Sequence, residues 1–537
     1  MTPSTLIRSA RIIDGSGAAW FVGDALLEAG RIAAVGTNLS AGGCRVVEAR
    51  GRFLAPGFID AHCHDDLIGL REPGRREKIA QGVTTVVVGN CSFSLYPAPP
   101  ASAEALRGHF STLLGETAPE EMFADFAAYR AAVARQGCAL NIVSQVGHAA
   151  LRLAVMGWQN RPATPDEIAA MQALLATQLA QGATGLSLGL VYPPSAFATA
   201  EELVALGETV RDHGAILSAH VRNYESRLPE ASEEFLAVLR RSGAAGQLSH
   251  LQAAGRPNWG SVPSVIARLE AARAAGIDVA FDMYPYPAGS SYILQLLPPE
   301  ALEGGLDALR TRLADPAESA RLRRWVEQGP EDPAAPQSKI SLIGWGNVLI
   351  SAVGAPALKS CEGQRLDVAA AAAGLAPFDL LRRFVEEDGG QTGIVMFQLG
   401  EDDLRAACTH SLHMFCSDGL PRPGTRPHPR AWGAFPRVIG KLACDEGWFG
   451  LEEAVRHMTS APALRFGIPD RGLVRPGMVA DLVLFDVDTR DLASFENPTQ
   501  LPRGIETVWV AGEAVLEAGQ PTGARPGRVL GTPRRAA

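Results

Sequence analysis

Several residues that bind metals or carry protons in other proteins come directly after short apolar runs in this 537-residue sequence. His62 and His64 follow the run that ends at Asp60, and residues two apart in an extended segment point the same way. Both imidazoles are therefore expected to face one ion. Imidazole and thiolate are ligands that zinc prefers, and a nearby carboxylate can exchange a proton. The other candidates, each after a different run, are Cys91, His220, His250 and Asp418.

Each of these residues also has a structural explanation when it is considered alone. A His-x-His pair occurs at surfaces and helix ends, and His220 or His250 can be a satisfied core histidine. Cys91 can be an inert buried thiol, and Asp418 can be a turn residue before glycine. Their joint position after five different runs is what predicts a metal site.

The runs themselves are apolar, and most are followed by stretches rich in alanine and leucine. Such alternation is typical of parallel strands joined by crossover helices, and eight strands close a barrel. The carboxyl ends of barrel strands carry the active site, which is where the candidate residues stand. The sequence thus predicts an α/β fold of the TIM type. The eight runs are Gly57–Asp60, Thr84–Val88, Leu140–Val143, Gly185–Leu188, Ala215–Ala219, Gly246–Ser249, Ile277–Phe281 and Leu412–Cys416.

Both ends of the chain have a different pattern, in which short apolar segments alternate with glycine-containing turns. This pattern occupies residues 5–54 and returns at 480–516, and it is typical of antiparallel strands. We predict that residues 1–56 pair with 468–537 in one small β-domain, and that residues 57–467 form the barrel. A stretch at about 288–340, rich in Pro, Ala, Arg and Glu, predicts a mostly helical, lid-like insertion.

Composition limits the partners that we expect. The 58 acidic and 49 basic residues give a net charge of −9, which gives no electrostatic reason to bind nucleic acid or an anionic membrane. A small-molecule partner is the default expectation. The eight cysteines lack paired short spacings, and we find neither an export signal nor an 18-residue apolar run, so a cytoplasmic location is expected.

The residues above belong to longer motifs, which are Gly57-Phe-Ile-Asp-Ala-His62-Cys-His64, Gly82-Val-Thr-Thr-Val-Val-Val-Gly-Asn-Cys91, Tyr192-Pro, His220-Val-Arg222, Ser249-His250, Tyr284-Pro-Tyr286, Ser417-Asp418-Gly419 and His428-Pro-Arg430. Together these motifs resemble the N-acyl-D-amino-acid deacylases, or D-aminoacylases, of the amidohydrolase superfamily, from about residue 5 to residue 516. The resemblance implies a distorted (β/α)8 barrel with a small β-sandwich, bound zinc, and hydrolysis of the N-acyl bond of D-amino acids.

The resemblance also implies roles for individual residues. A tightly held Zn²⁺ would be bound by Cys91, His220 and His250, and a weaker second site would be lined by His62 and His64. Asp418 is expected to act first as general base towards water and then as general acid towards the leaving amine. Substrate contacts are expected from Arg222, Tyr192, Tyr284 and Ser291.

Two alternatives remain open at this point. A cyclic amidase of the hydantoinase or dihydroorotase kind is disfavoured, because Gly185-Leu-Ser-Leu-Gly189 lacks the carboxylated lysine that bridges two metals in those enzymes. A non-catalytic scaffold is disfavoured because all the candidate ligands are retained.

Three departures from the family pattern affect the expected substrate pocket. Gln252 stands where the family has a lysine that holds the substrate carboxylate, so Arg222 or another arginine must replace it, or the substrate lacks a free carboxylate. Ser92 replaces the glycine that follows the metal-binding cysteine. Cys416 stands where a glycine is common.

Overall fold

The computed structural model of the chain describes residues 4–332 and 335–531. Its strands, in chain order, are β1 Thr5–Ile12, β2 Phe21–Glu28, β3 Arg31–Gly36, β4 Arg45–Glu48, β5 Phe53–Pro56, β6 Phe58–Asp60, β7 Val83–Val88, β8 Asn141–Ser144, β9 Val146–Gly147, β10 Gly185–Gly189, β11 Ile216–His220, β12 Ala245–Leu248, β13 Val279–Met283, β14 Gly289–Tyr292, β15 Val348–Ala352, β16 Gly393–Met396, β17 His413–Phe415, β18 Leu482–Arg490, β19 Arg503–Val510, β20 Glu513–Glu517, β21 Gln520–Pro521 and β22 Val529–Leu530.

The α-helices are listed in the same order: α1 Ile68–Arg71, α2 Arg76–Ile79, α3 Ala103–Leu114, α4 Phe126–Gln136, α5 His148–Met156, α6 Pro165–Gln181, α7 Ala200–Asp212, α8 Leu228–Ser242, α9 Val262–Ala274, α10 Leu306–Ala314, α11 Pro316–Gln328, α12 Lys339–Ile343, α13 Leu366–Ala372, α14 Pro377–Glu387, α15 Glu401–Cys408, α16 Arg430–Arg437, α17 Leu451–Met458 and α18 Ser460–Arg465. A π-helix, Val438–Asp445, continues α16. In the described part of the chain, no helix has the length and apolarity needed to cross a membrane.

The predicted barrel is confirmed, and it is built from two parallel sheets. One sheet contains β6, β7 and β8, and the other runs in the order β9, β10, β11, β12, β13, β17. Backbone bonds between the loops after β6 and β17 join the first strand to the last, including Asp418 N–H to His62 O at 2.8 Å. All six residues of β7 are buried, as expected for a strand covered on both faces.

The helices between the strands begin and end where local chemistry favours it. Thr164 and Glu167 form a reciprocal capping box at the start of α6, Pro165 occupies its first position, and Gly182 ends it in the left-handed region at φ +116°. The chain can therefore turn sharply from α6 into β10, which begins at Gly185.

Both ends of the chain contribute to one nine-stranded sheet, in which β18 to β21 continue the sheet of β1 to β5. The join is the antiparallel pair of β5 and β18, with Phe53 opposite Phe485 and Leu54 opposite Leu484. The last described strand departs from the predicted arrangement. Val529–Leu530 adds to the edge of β8, so this part of the tail covers the barrel sheet instead of joining the terminal sheet.

The insertion also differs from the predicted one. Helices α10, α11 and α12 account for much of residues 306–343, but the excursion between β13 and β17 contains in addition an antiparallel sheet in the order β14, β16, β15. Ser291 opposite Ile394 illustrates its register. These strands are short, and about a hundred residues separate β14 from its partner β16, so no local pattern predicts their pairing.

Candidate metal centre

The predicted strand ends bring a thiol and two imidazoles together at the rim of the barrel. Cys91 Sγ lies 3.3 Å from His62 Nε2 and 3.5 Å from His250 Nε2, and all three side chains are buried. His220 stands beside them, with its ring centroid 4.5 Å from that of His250. The donor set of one sulfur and several imidazole nitrogens is suited to zinc.

A second set of possible ligands shares His62 with the first. Asp418 Oδ1 lies 3.3 Å from His64 Nε2 and 3.6 Å from His62 Nε2. The two sets, His62–Cys91–His250 and His62–His64–Asp418, are the groups of metal-binding side chains that lie close enough to share an ion in the described chain. His62 therefore stands between the two sets, whereas the resemblance assigned it to the weaker site alone.

The charges of this cluster suit a cation. Burial alone would raise the pKa of the Cys91 thiol, but the charge of His62 and hydrogen bonds from the surrounding imidazoles hold it well below its usual value. Burial likewise opposes ionisation of Asp418, yet the guanidinium of Arg430 and a bond from His64 hold its pKa well below the usual range. His64 and His220 each leave Nδ1 buried without a hydrogen-bond partner. A thiolate, a carboxylate and unpartnered imidazole nitrogens fit a divalent metal ion.

The backbone is strained where it presents these side chains. Cys91, Ser92, His250 and Asp418 all have positive φ, at 52°, 77°, 35° and 45°. Each such residue costs on the order of 1–3 kcal/mol, and conformations of this kind cluster at functional sites. Space is also scarce nearby, because a Cβ on Gly189 would lie 2.2 Å from the Cys91 carbonyl oxygen.

A buried polar chain holds the turn that contains the thiol. Ser92 Oγ accepts the N–H of Ala149 at 2.6 Å and lies 2.6 Å from Ser195 Oγ. Ser195 Oγ in turn lies 3.0 Å from His148 Nδ1, and His148 Nε2 lies 2.8 Å from Glu202 Oε1. Ser92 therefore anchors its left-handed turn through its hydroxyl group.

Asp282, at the end of β13, is a residue that the sequence analysis missed. Its carboxylate accepts the N–H of His250 at 2.8 Å and the Nε2–H of Gln247 at 2.9 Å, and it lies 3.3 Å from His62 Nδ1. A carboxylate behind a metal-binding histidine fixes the orientation of the ring. Its position near the end of β13 was a signal in the sequence that could have identified it as a residue of the site.

A buried ion pair supports the first and last strands below the cluster. Lys78 Nζ donates to Asp60 Oδ2 at 2.6 Å and to Ser417 Oγ at 2.8 Å. Ser417 N–H also donates to Asp60, at 2.8 Å. The residue before Asp418 is thus tied directly to the strand that precedes His62.

Arg430 is the second residue that the sequence analysis missed. It is fully buried, and its guanidinium lies 2.9 Å from Asp418 Oδ2 and 4.2 Å from the ring centroid of Tyr284. Its Nε and Nη1 atoms have no hydrogen-bond partner. The motif His428-Pro-Arg430 was noted in the sequence, but no role at the site was assigned to Arg430.

The predicted substrate residues divide into two groups. Tyr192, Tyr284 and Ser291 line a small cavity, which the metal-binding side chains also line and which we call the inner cavity. Arg222 does not line it. Its guanidinium donates to Ala196 O at 2.7 Å and to Glu234 at 3.0 Å, so Glu234 is the carboxylate that it clamps. The residues that line the inner cavity include His64, Cys91, Tyr192, His220, His250, Gln252, Tyr284, Ser291, Gln295, Lys339 and Asp418.

Gln252 and Ser291 define the polar wall of the inner cavity. The hydroxyl of Tyr284 donates to Gln252 Oε1 at 2.8 Å, so this amide is already engaged. Ser291 Oγ is buried and has no hydrogen-bond partner. The neutral amide at position 252 leaves the positive charge near this wall to Lys339, which lines the inner cavity, and to Arg430 behind Tyr284.

Comparisons with known proteins agree with this arrangement. N-acyl-D-glutamate deacylase of Alcaligenes xylosoxydans xylosoxydans is 37% identical over 526 residues, covering 98% of this chain and 96% of the relative. D-aminoacylase of the same organism is 36% identical over 530 residues, covering 98% and 97%.

A solved structure is similar over the same length. The N-acyl-D-glutamate deacylase from Bordetella bronchiseptica, complexed with zinc and a phosphonate inhibitor that mimics the tetrahedral intermediate, has a TM-score of 0.83 at 35% identity. The match covers 99% of this chain and 100% of that chain. The sequence profile of the amidohydrolase family matches residues 45–283 and 353–516. This chain therefore belongs to the amidohydrolase family.

Proposed function

We propose that this protein is a zinc-dependent hydrolase of the linear amide bond of N-acyl-D-amino acids. The observation that carries the proposal is the convergence of a buried thiolate, imidazoles and the Asp418 carboxylate at the rim of the barrel. The relatives named above act on N-acyl-D-glutamate and on N-acyl-D-amino acids, and they are similar over nearly their whole length.

Cys91, His220 and His250 would hold the more tightly bound zinc, and His62, His64 and Asp418 surround the position of a second ion. When bound, zinc would polarise the scissile carbonyl and lower the pKa of a nearby water molecule. A thiolate ligand requires a depressed thiol pKa, which the surrounding imidazoles supply here.

Asp418 is the proton carrier in the proposed reaction. It takes a proton from the attacking water and then delivers that proton to the amine nitrogen, because expulsion of an unprotonated amine is prohibitive. Arg430 and His64 keep the carboxylate ionised before the reaction and hold it in place at 2.9 Å and 3.3 Å.

The substrate carboxylate is bound, in this proposal, by groups beside the polar wall. The Ser291 hydroxyl and the Tyr284 phenol face the inner cavity, and the guanidinium of Arg430 stacks on the Tyr284 ring with two nitrogens unpartnered. A buried cation with open donor sites suits an anionic ligand.

A cyclic amidase is not favoured by the geometry. A bridging lysine at the end of β10 would need space that is absent, because even a Cβ at Gly189 would overlap the Cys91 carbonyl oxygen. The experiment below also distinguishes a deacylase from a scaffold without activity.

We also propose that residues 57–467 are the catalytic unit, supported by the termini, 1–56 and 468–537. We place the enzyme in the cytoplasm, with small molecules and neither nucleic acid nor membranes as its partners. All eight cysteines are free, and the net charge is negative.

The experiment is an activity screen on protein of measured zinc content. N-acetyl-D-amino acids should be hydrolysed, while their L-enantiomers, simple amides without a carboxylate, and dihydrouracil or hydantoin rings should not. Ring opening without linear deacylation would contradict the proposal, and protein that binds no zinc and hydrolyses nothing would favour the scaffold.

A further inference from the structure

A second cavity lies next to the inner cavity and is much larger. The inner cavity has a volume of about 40 Å³, whereas this outer chamber has about 280 Å³. One water molecule takes up roughly 30 Å³ of liquid, so the inner cavity has room for little more than the reacting atoms. Most of an N-acyl amino acid must therefore lie elsewhere.

The two cavities are adjacent. Tyr192, Gln295 and Lys339 line both of them and so stand at the boundary between them, which we call the mouth. Tyr192 also lines the inner cavity together with Ser291, whose hydroxyl we have placed at the substrate carboxylate. In an amino acid the side chain and the carboxylate share one carbon atom. The group that enters the mouth beside Ser291 is therefore the amino-acid side chain.

Apolar residues form most of the wall of the outer chamber. The barrel supplies Leu190, Val191 and Phe197, and the insertion supplies further apolar residues from the opposite side. Among these are Leu294, Leu297, Leu302 and Trp325. Burial of an apolar side chain among such residues is favourable by about 25 cal/mol per Å².

The charged residues of the outer chamber are already engaged. Lys339 Nζ bonds Glu225 Oε1 at 2.6 Å, and the guanidinium of Arg222 is held by Glu234 and by backbone carbonyls. Glu300 adds a further carboxylate to the wall. A side-chain carboxylate would therefore meet like charges, or would have to compete with Glu225 for the lysine.

We propose that the outer chamber is the side-chain subsite, and that the preferred substrates are N-acyl-D-amino acids with large apolar side chains instead of acidic ones. The Lys339–Glu225 pair at the mouth sets this preference. The inference rests on the proposed deacylase function. It separates this chain from relatives that act on N-acyl-D-glutamate and N-acyl-D-aspartate.

The test measures kcat/KM of the zinc-loaded protein for the N-acetyl derivatives of D-alanine, D-leucine, D-phenylalanine and D-glutamate. We expect the leucine and phenylalanine substrates to exceed the glutamate substrate by about 30-fold or more. Equal or better hydrolysis of the glutamate substrate would overturn the inference. So would a gain from longer acyl chains in place of larger side chains, because the chamber would then hold the acyl group.

Two variants locate the effect. Glu225→Gln should raise the ratio of kcat/KM for the glutamate substrate to that for the leucine substrate by about tenfold, because it frees the Lys339 charge. Glu233→Gln is the matched control, since Glu233 lies on α8, which begins three residues after Glu225, and pairs with the exposed Arg240. Val191→Phe fills part of the outer chamber, so it should lower the ratio of kcat/KM for the phenylalanine substrate to that for the alanine substrate. An unchanged ratio in either chamber variant would contradict the assignment.

Failure of the proposed function gives a different result. A protein that hydrolyses none of these substrates, the alanine derivative included, would refute deacylation itself. In that case calorimetric titration of the same zinc-loaded protein with N-acetyl-D-leucine and N-acetyl-D-glutamate still tests the chamber. Binding of the leucine ligand about 30-fold tighter supports the subsite, and equal or weaker binding overturns it.

Discussion

Replacement of Asp418 by asparagine tests the proposed proton transfer with little change of shape. The carboxylate lies 3.3 Å from His64 Nε2 and 3.6 Å from His62 Nε2, within the cluster that faces the inner cavity. General acid–base catalysis contributes roughly 10²- to 10⁴-fold to a rate, and Asp418 is proposed to act in both proton-transfer steps. We therefore expect Asp418→Asn to lower kcat by about 10³- to 10⁴-fold, or roughly 4–5.5 kcal/mol of barrier.

The same substitution has a predictable effect on stability. Arg430 is fully buried, and Asp418 is its ion-pair partner at 2.9 Å. Loss of one partner of a buried pair costs about 3–5 kcal/mol. The free energy of unfolding of the Asp418→Asn protein should fall by that order, which denaturant titration measures.

The assay combines turnover of the best N-acetyl-D-amino acid with zinc analysis of the same sample. Asp403→Asn is a suitable control, because Asp403 is a buried aspartate that accepts the N–H of Gly260 at 2.7 Å, in the loop before α9. The control should retain activity. Asp418→Asn protein that is folded and retains zinc, yet turns over within tenfold of the unmodified enzyme, would refute the assigned role.

Three further predictions concern the groups around the site. Ser92→Ala keeps the strained turn but loses the hydroxyl's bonds, so it should destabilise the protein by about 1–3 kcal/mol, and Ser92→Gly should cost less; equal losses in denaturant titration would argue against the anchoring role. Lys78→Met leaves Asp60 buried without its cation and should cost about 3–5 kcal/mol in the same assay, so a loss below 1 kcal/mol would contradict this role. Burial lowers the pKa of His109 to about 3, so the unfolded chain, with a histidine pKa near 6.5, binds the extra proton first as the pH falls. Burial of the neutral His109 therefore does not lower the free energy of unfolding above about pH 6.5, and lowers it increasingly below that pH. Between pH 7 and pH 5, the free energy of unfolding of His109→Phe should rise by about 2 kcal/mol relative to that of the unmodified protein. A difference between the two proteins that does not change with pH would show the pKa of His109 to be unshifted.

The barrel and the rim were predictable because their signals are local. An apolar run such as Val83–Val88 is long enough to identify a buried strand, and the polar residue that follows it stands at the rim by the geometry of parallel strands. The same rule placed His62, Cys91, His250 and Asp418 near one another, although they come from distant parts of the chain.

The residues that were missed depend on contacts between distant segments. Nothing near Arg430 indicates that its guanidinium reaches Asp418 and stacks on Tyr284. The strand-end position of Asp282 marked it as a rim residue, but only the fold places its carboxylate behind both His62 and His250. Arg222 shows the converse, because it follows His220 by two residues but its side chain turns towards Glu234.

The pairing of short strands was also beyond local reasoning. Val529–Leu530 is only two residues long, and its position on β8 depends on the free edge that β8 offers. The sheet of the insertion joins Ser291 to Ile394 across about a hundred residues. For such pairs the closure of the intervening chain decides the register, and composition does not encode it.

Anomalous diffraction at the zinc edge, from crystals of the zinc-loaded protein, is the most direct test of the central claim. We predict a strong peak about 2.3 Å from Cys91 Sγ and about 2.0–2.1 Å from the imidazole nitrogens of His220 and His250. The Cys91→Ser protein should lack most of this peak. Zinc bound elsewhere, or a peak that leaves Cys91 Sγ beyond bonding distance, would contradict the account.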